Sequence, residues 1–400
     1  MRLGIFAEGL YRQIETDEGT RIADISAGHA FRLFAAEVGL RFDRVAFFGR
    51  EAAEDVATDY RLPEGVELVP LPYYPSLRHL GRLARALGGT VRKTWNGLSE
   101  VDLVWVWGPH PVGYLVVAVA AARSTEVALG VRQDTPRYFR SRMPGRHWAP
   151  ALAVVWGLDL GWRLLARRLP TTVVGTELAR RYPHRETVLP VTVTLIRSAD
   201  VAAEPPGRDW SGEIGLLTVG RLEQEKNPLL LVELLAELER LRPGRFRLTW
   251  AGEGRLEGAV RERARTLGVD GRLELLGYLG FGPPLLERYR AAHAFVHVSF
   301  TEGVPQVLVE ALAAGLPTVA TDVGGVRAAV GNAALLVPPA DLEALTSAVL
   351  RITDDAALRR DLAERGLERA RGLTLEAEGD RVASFLRGNR RTSTNPAGGR

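Results

Sequence analysis

The sequence predicts an α/β protein of two domains, each an alternation of parallel strands and crossover helices. Three observations carry this. The chain has 400 residues, more than a single hydrophobic core usually organises. Apolar runs of strand length alternate with longer helical patterns in two separate arrays. Between the arrays lies AAEPPGRDWSGE, Ala202 to Glu213, whose prolines and glycines read as a linker.

The first array opens with a strand over Leu3–Ala7, followed by a polar loop and a helix over Gly28–Val38. Strands are predicted over Arg44–Phe48, Val66–Leu71, Leu103–Trp107 and Glu126–Val131. Thr172–Gly175 reads as the last strand of this half, and Thr176 as the N-cap of the helix after it. Residues 186–213 are mixed in pattern. The second array begins with a strand over Gly215–Val219 and a helix over Pro228–Arg240. Phe246–Ala251, Leu273–Leu276, Phe295–Ser299 and Thr318–Thr321 follow as strands. Leu256–Leu267, Val307–Ala314 and Asp341–Ile352 follow as helices. The tail from Arg390, RTSTNPAGGR, has a disordered composition.

The expected organisation is therefore a first Rossmann-like domain over 1–190, a linker over 191–213 and a second Rossmann-like domain over 214–373. A C-terminal helix over 374–389 and a tail over 390–400 complete it. Ligands of open α/β sheets bind outside the carboxyl ends of the strands, so a cleft between the two domains is the expected site.

Composition sets broad limits. The 46% apolar and 25% charged shares are those of an ordinary globular protein. Cysteine is absent, which excludes disulfides and thiolate metal sites and fits a reducing compartment. The first apolar run stops at Glu8, too short for the apolar region of a signal peptide. No eighteen consecutive apolar residues occur, the longest candidate being about a dozen around Pro111 to Ala122. A cytoplasmic protein is expected. Fifty arginines stand against two lysines, Lys93 and Lys226. Such a skew reflects genomic composition bias and argues little for nucleic acid. Residues 1–185 hold 25 basic and 19 acidic side chains, and residues 186–400 hold 27 and 29. The first half thus carries the positive field, which favours an anionic partner there.

Within the second half, Val298 to Pro317 reads VSFTEGVPQVLVEALAAGLP. A strand ends, Glu302-Gly303 makes a loop, and Pro305 suits a first helical position. The amides of Gly303 and Val304, with the positive end of the helix, would cradle a phosphate. Glu310 lies inside the apolar run VLV-E-ALA, where an isolated carboxylate is costly unless hydrogen-bonded. Ribose hydroxyls are suitable donors; the competing account is that Glu310 bridges neighbouring backbone. A second stretch, Thr218 to Pro228, reads TVGRLEQEKNP. Gly220 and Arg221 follow a strand at its carboxyl end. Lys226 stands where this chain ordinarily uses arginine, which suits a compact ammonium facing a phosphate; the alternative is a chance surface lysine.

VGRLEQEKNP followed about eighty residues later by E-x7-E resembles the retaining glycosyltransferases of group 1, family four, with the GT-B fold of two Rossmann-like domains facing a cleft. The likeness is specific over residues 214–330, including AGEG at Ala251–Gly254, LGYLG at Leu276–Gly280 and TDVGG at Thr321–Gly325. It is only topological over residues 1–185. The resemblance implies that Arg221 and Lys226 bind the donor diphosphate, that Glu302 contacts hydroxyls of the transferred sugar and that Glu310 holds the ribose. It implies that Tyr278 and Leu279 line the base pocket, with Gly220, Gly303 and Val304 also at the donor. It further implies that the C-terminal helix, Leu375 to Arg387, crosses back to the first domain.

The implied reaction moves a sugar from a nucleotide-diphosphate donor to an acceptor hydroxyl with retention and without a metal. The departing phosphate oxygen accepts the acceptor's proton, while Arg221, Lys226 and the helix N-terminus stabilise the growing negative charge. No Asp-x-Asp pair follows a strand to hold a divalent ion, and no cofactor is expected. His293 and His297, four apart at a strand, read as packing rather than a metal pair. The catalytic set is Arg221, Lys226, Glu302 and His110.

The first half departs from the family. A glycine-rich loop normally follows its first strand, and here only Gly9 and Gly19 flank YRQIETDE. In VWGPH, Val106 to His110, Trp107 stands where the family has a histidine that contacts the donor sugar. Either Trp107 substitutes or His110 serves. Arg132 and Asp134, at a strand end, are assigned to the acceptor, which is a glycan, a lipid-linked sugar or a small molecule. That range fits cell-envelope glycan or glycolipid synthesis. Arg137 to Arg168 combines Tyr138, Phe139, Trp148, Trp156 and Trp162 with seven arginines. It reads as a peripheral contact with the inner face of an anionic membrane, or else as a packed helix with solvated arginines.

Two other classes compete. A sugar-nucleotide epimerase on the same fold would need no acceptor, whereas E-x7-E is a transferase pattern. A non-catalytic nucleotide- or nucleic-acid-binding protein would use the basic first half, but no nucleic-acid motif appears and specific nucleic-acid binding is not expected. An NAD-dependent enzyme fits less well, because Gly252-Glu253-Gly254 lacks the third glycine.

Overall fold

The computed structural model describes residues 1–16, 19–24, 29–52, 61–75, 79–143, 145–182 and 186–388. It divides into two compact units, Met1–Val193 with Glu378–Arg400, and Thr194–Ala377. The expected starting residue of the first helix, Gly28, and the tail from Arg390 lie outside the described residues.

Unit 1 contains β1 (Arg2–Thr16), β2 (Gly19–Asp24), α1 (His29–Gly39), β3 (Arg44–Glu51), β4 (Val66–Leu71), α2 (Leu80–Gly97) and β5 (Leu103–Gly108). It continues with α3 (Pro111–Ala122), β6 (Glu126–Val131), α4 (Thr135–Arg142), α5 (Ala149–Ala166), β7 (Thr171–Val174), α6 (Thr176–Ala179) and β8 (Val188–Val191). The strands form one sheet in the order β4-β3-β1-β5-β6-β7-β8, all parallel, with β2 antiparallel on β1.

Three local expectations are corrected here. The first strand does not end at Ala7. Its register slips between Phe6 and Leu10, and the chain then pairs with β2 as a hairpin. Tyr11 anchors that extension: it is fully buried, donates its hydroxyl to Ala7 O at 3.0 Å and packs on Phe47. The strand after Thr171–Val174 was hidden because VLPV contains Pro190. Proline is tolerated on an edge strand, and β8 ends the sheet. The helix after β7 has only four residues, and its N-cap is Gly175 at φ 85°, not the Thr176 side chain.

Unit 2 contains β9 (Ile214–Val219), α7 (Pro228–Leu241), β10 (Phe246–Ala251), α8 (Glu257–Thr266), β11 (Leu273–Leu275), α9 (Pro283–Ala291) and β12 (Ala294–His297). Then come α10 (Gln306–Ala313), β13 (Thr318–Thr321), α11 (Val326–Val330), β14 (Ala334–Val337), α12 (Leu342–Asp354) and α13 (Ala356–Arg371). Six parallel strands run in the order β11-β10-β9-β12-β13-β14. A final helix, α14 (Leu375–Gly388), starts in this unit, and its residues from Glu378 belong to unit 1. There Glu378 accepts from Thr192 N at 2.9 Å, and Arg381 donates to Pro190 O at 2.7 Å.

The unit 2 sheet is covered on both faces. One core gathers Leu231, Leu235, Phe246, Trp250 and Leu345; the other gathers Leu217, Tyr289, Phe295, Leu308 and Leu312. Each fully buried aliphatic side chain contributes about 1.5–3 kcal/mol. Asp341 and Asp355 cap α12 and α13, each accepting a backbone N–H at 2.9 Å.

Both sheets start in the middle, run to one edge, then return and fill the other side. The order reverses between β9 and β12 in unit 2, and between β1 and β5 in unit 1. Ligands of such sheets bind outside the carboxyl ends of the strands at that reversal.

Candidate active site

The two motif stretches of unit 2 follow the carboxyl ends of β9 and β12, the two strands that flank the reversal. Topology thus joins segments about eighty residues apart in sequence. Lys226 forms an ion pair with Glu302 Oε1. The same oxygen accepts from His297 Nε2 at 2.9 Å and from Ser299 Oγ at 2.7 Å. The Glu302 side chain keeps 8% of its surface exposed. Burial alone would raise its carboxyl, but the His297 hydrogen bond and the Lys226 charge outweigh this and hold it at about 2. Glu302 is therefore ionised across the physiological range.

Next to this carboxylate, the amides of Gly303 and Val304 have no acceptor among the described residues. Pro305 is the N-cap of α10 rather than its first helical residue, and the helix begins at Gln306, one position before the expected Val307. The loop is held by close backbone contact. A Cβ on Gly324, at φ 50°, would lie 2.0 Å from Glu302 O, and one on Gly325 would lie 1.8 Å from Gly303 O. The TDVGG glycines are thus required because two loops touch backbone to backbone. AGEG has the same cause: Cβ atoms on Gly252 and Gly254 would meet Gly220 O and Leu222 O at 2.0 and 2.4 Å.

Gly220 has φ 154°, and a Cβ there would meet nothing within 4 Å, so the space before it is open. Arg221 is 62% exposed and pairs with Glu225 at 2.6 Å, apart from the Lys226–Glu302 group. Tyr278 is 60% exposed, and Leu279 packs partly on the core behind it. Glu310 is buried on α10 and accepts at Oε2 from Tyr289 OH at 2.8 Å. Burial pushes its carboxyl up to about 7 despite that hydrogen bond. A groove of about 770 Å³ elsewhere in unit 2, between α7 and α12, is lined by Glu237, Glu343, Asp354 and Asp355. It lies away from the β9/β12 reversal, and Arg351 lines it together with those carboxylates, of which Glu237 and Asp354 are paired with Arg240 and Arg242.

In unit 1 the corresponding reversal lies after β1 and β5. His110 caps α3, its Nδ1 accepting from Val112 N at 3.3 Å, and Glu8 Oε2 lies 3.9 Å from the same nitrogen. Burial lowers the His110 pKa, with Glu8 pulling it back up. Glu8 also pairs with Arg50 at 2.6 Å and accepts from Tyr74 OH at 3.3 Å. Trp107 is buried inside β5 against Trp105 and Phe31, so of the two candidates His110 is the one beyond the strand end. Arg132 stacks on Phe31 at 4.6 Å. Asp134 is occupied locally: one oxygen caps α4 through Arg137 N, and the other pairs with Arg181.

His297, Ser299 and Tyr289 were missed in unit 2, as were Glu8, Arg50 and Tyr74 in unit 1. His297 and Ser299 carried a signal, since polar residues alternate along HVS at the end of an apolar strand. The others carried none.

The family of glycosyl transferases group 1 matches residues 213–355. A D-inositol 3-phosphate glycosyltransferase of Pseudarthrobacter chlorophenolicus is 30% identical over 287 residues, 69% of this chain and 64% of that protein. A glycogen synthase of Mycobacterium tuberculosis is 37% identical over 180 residues, 43% of each chain. The matched stretches thus span less than two thirds of these curated relatives. Among solved structures, WaaG, a glycosyltransferase involved in lipopolysaccharide biosynthesis, aligns with a TM-score of 0.65 at 16% identity, covering 96% of this chain and 100% of its own. Anabaena HepE in complex with UDP-glucose aligns with a TM-score of 0.63 at 16% identity, covering 97% and 100%. At these identities the likeness establishes the fold, which is GT-B.

Proposed function

From a chain whose residues 213–355 form a glycosyl transferases group 1 domain, we propose an enzyme that transfers a sugar from a nucleotide-diphosphate donor to an acceptor hydroxyl. The observation that supports it is the group Lys226, Glu302, His297 and Ser299 at the β9/β12 reversal, beside the amides of Gly303 and Val304, which have no acceptor among the described residues. The donor's diphosphate takes the place facing Lys226, Arg221 and those amides. Glu302, ionised and oriented by His297 and Ser299, accepts hydrogen bonds from hydroxyls of the transferred sugar. Glu310 accepts from the ribose, and Tyr278 and Leu279 flank the base.

In the reaction the acceptor oxygen forms a bond to the anomeric carbon as the bond from that carbon to the phosphate oxygen breaks. The acceptor's proton passes to the departing phosphate oxygen. Lys226 and the amides of Gly303 and Val304 stabilise the negative charge that grows there, so no protein base and no metal ion are required. Attack from the face the diphosphate leaves retains the anomeric configuration. The acceptor is assigned to unit 1, where His110, Glu8 and Arg132 supply polar and charged groups at a strand end. A place in cell-envelope glycan synthesis fits this chemistry.

Thermal-shift binding against a panel of nucleoside diphosphates and their sugars, with and without EDTA, tests the donor. Wild type should be stabilised by one nucleotide regardless of EDTA, and Glu310→Ala should lose that shift. Proton NMR of the product's anomeric signal tests retention. A shift that requires a divalent ion, or an inverted product, would overturn the corresponding part.

A further inference from the structure

We propose that the outer face of α5 docks this protein onto the surface of an anionic phospholipid bilayer. The helix over Arg146–Ala166 is apolar and long enough to cross a membrane by length and composition, and only 17% of its most apolar window is buried. It does not cross one. Asp159, Trp162 and Ala166 face inward, Trp162 is fully buried in the unit 1 core, and Asp159 pairs with Arg163 at 2.5 Å. That face belongs to the fold.

The opposite face has no covering among the described residues. Val154 is 63% exposed, Trp156 51%, Leu160 60% and Leu164 49%. With Ala149, Pro150, Ala153 and Gly157, also exposed, they form one stripe down the helix. At 1.5 Å per residue the stripe is about 23 Å long; none of its residues is charged, and the two charged side chains of this span, Asp159 and Arg163, pair with each other. A contiguous apolar surface of this kind marks an interaction site.

Charge selects the partner. Exposed Arg146 and His147 precede the stripe, exposed Arg167 and Arg168 follow it, and Arg137 and Arg140 stand on α4, which packs against α5. None of these arginines has an ion-pair partner among the described residues. The nearest acids in sequence, Asp134 and Asp159, are already paired with Arg181 and Arg163. An apolar strip with free arginines at both ends fits a surface that is apolar inside and anionic at its headgroups. A second copy of the chain fits poorly: stacking two such faces in either direction sets arginine ends against arginine ends.

The test is co-sedimentation of the full chain with vesicles of phosphatidylcholine alone, or with about one third phosphatidylglycerol. Wild type should bind the anionic vesicles at least about tenfold more tightly than the neutral ones, and added salt should weaken this. Trp156→Ser with Leu160→Ser should lose at least about tenfold on anionic vesicles. Arg146→Gln with Arg167→Gln and Arg168→Gln should bind both vesicle types alike. All altered residues are exposed, and unchanged thermal unfolding will show that the fold is kept. Absence of wild-type binding to anionic vesicles, or variants that bind as wild type does, would overturn the proposal. So would a concentration-dependent dimer abolished by the Trp156/Leu160 variant, which would make the face an interface between copies.

Discussion

Tyr289 donates its phenolic hydrogen to Glu310 Oε2 at 2.8 Å, between α9 and α10 in the interior of unit 2. The donor is neutral, so the carboxyl is hydrogen-bonded but its charge is not compensated. Burial therefore pushes Glu310 up to about 7, and it raises the Tyr289 phenol as well. Glu302, eight positions earlier, is held at about 2 by a cation and a histidine. Two carboxylates of one motif thus titrate in opposite directions, and each has its own pH signature.

Because the folded pKa of Glu310 is raised, its contribution to stability is present below the ordinary carboxyl range near 4.5 and is lost as pH rises through about 7. The ceiling on that loss is about 3 kcal/mol. Glu310→Gln should match wild type near pH 4.5 and become the more stable of the two at pH 8 when no ligand is bound. Thermal unfolding at both pH values checks this, and parallel pH slopes would contradict it. Nucleotide affinity should rise in wild type from pH 6 to 8, as the ionised form accepts from ribose, and stay flat in Glu310→Gln.

Lys226→Met should remove a cation from the donor and from Glu302 together. Activity, as kcat/KM, should fall by about 10²–10³, and stability at pH 7 by about 1–3 kcal/mol, because a buried carboxylate loses one partner while keeping His297 and Ser299. Arg221→Ala should separate these effects. Its exposed pair with Glu225 stabilises little, so unfolding should stay within about 0.5 kcal/mol of wild type while the donor KM rises. Steady-state kinetics with unfolding on each variant will decide. Equal kinetic loss with no stability loss for Lys226→Met would argue against the coupling.

Gly324→Ala and Gly258→Ala should differ in sign. At Gly324 the backbone is left-handed and the new methyl would meet Glu302 O at 2.0 Å, so the donor loop must move. A loss of at least about 2 kcal/mol and of nucleotide binding is expected. Gly258 is the second residue of α8, and a Cβ there touches nothing, so alanine should stabilise by up to about 1 kcal/mol by restricting the unfolded chain. Chemical unfolding of the two variants checks both signs.

Periodicity sufficed for much of the architecture. Val66–Leu71, Glu126–Val131, Phe246–Ala251 and Thr318–Thr321 are strands with the bounds the pattern predicts, because buried parallel strands are short, continuous apolar runs between turn residues. The β1–β2 hairpin and β8 were not visible. One depends on Tyr11 finding Phe47 and Gly49; the other is an edge strand that tolerates its proline. Both are set by neighbours distant in sequence.

For the candidate site, local chemistry was enough to pick out Lys226 as an unusual lysine and Glu310 as a carboxylate among aliphatics, whereas the AGEG and TDVGG glycines were marked only by the family likeness. Lys226 and Glu310 are each an anomaly within their own dozen residues. That Lys226 meets Glu302, that His297 and Ser299 orient the same oxygen, that Tyr289 is Glu310's donor and that Trp162 faces inward while Trp156 faces out all came from the fold. The physical reason is that residue type and spacing report what a segment requires, whereas a partner is supplied by whichever strand or helix the sheet order brings alongside. A hydrogen bond between residues tens of positions apart leaves no mark on either segment alone.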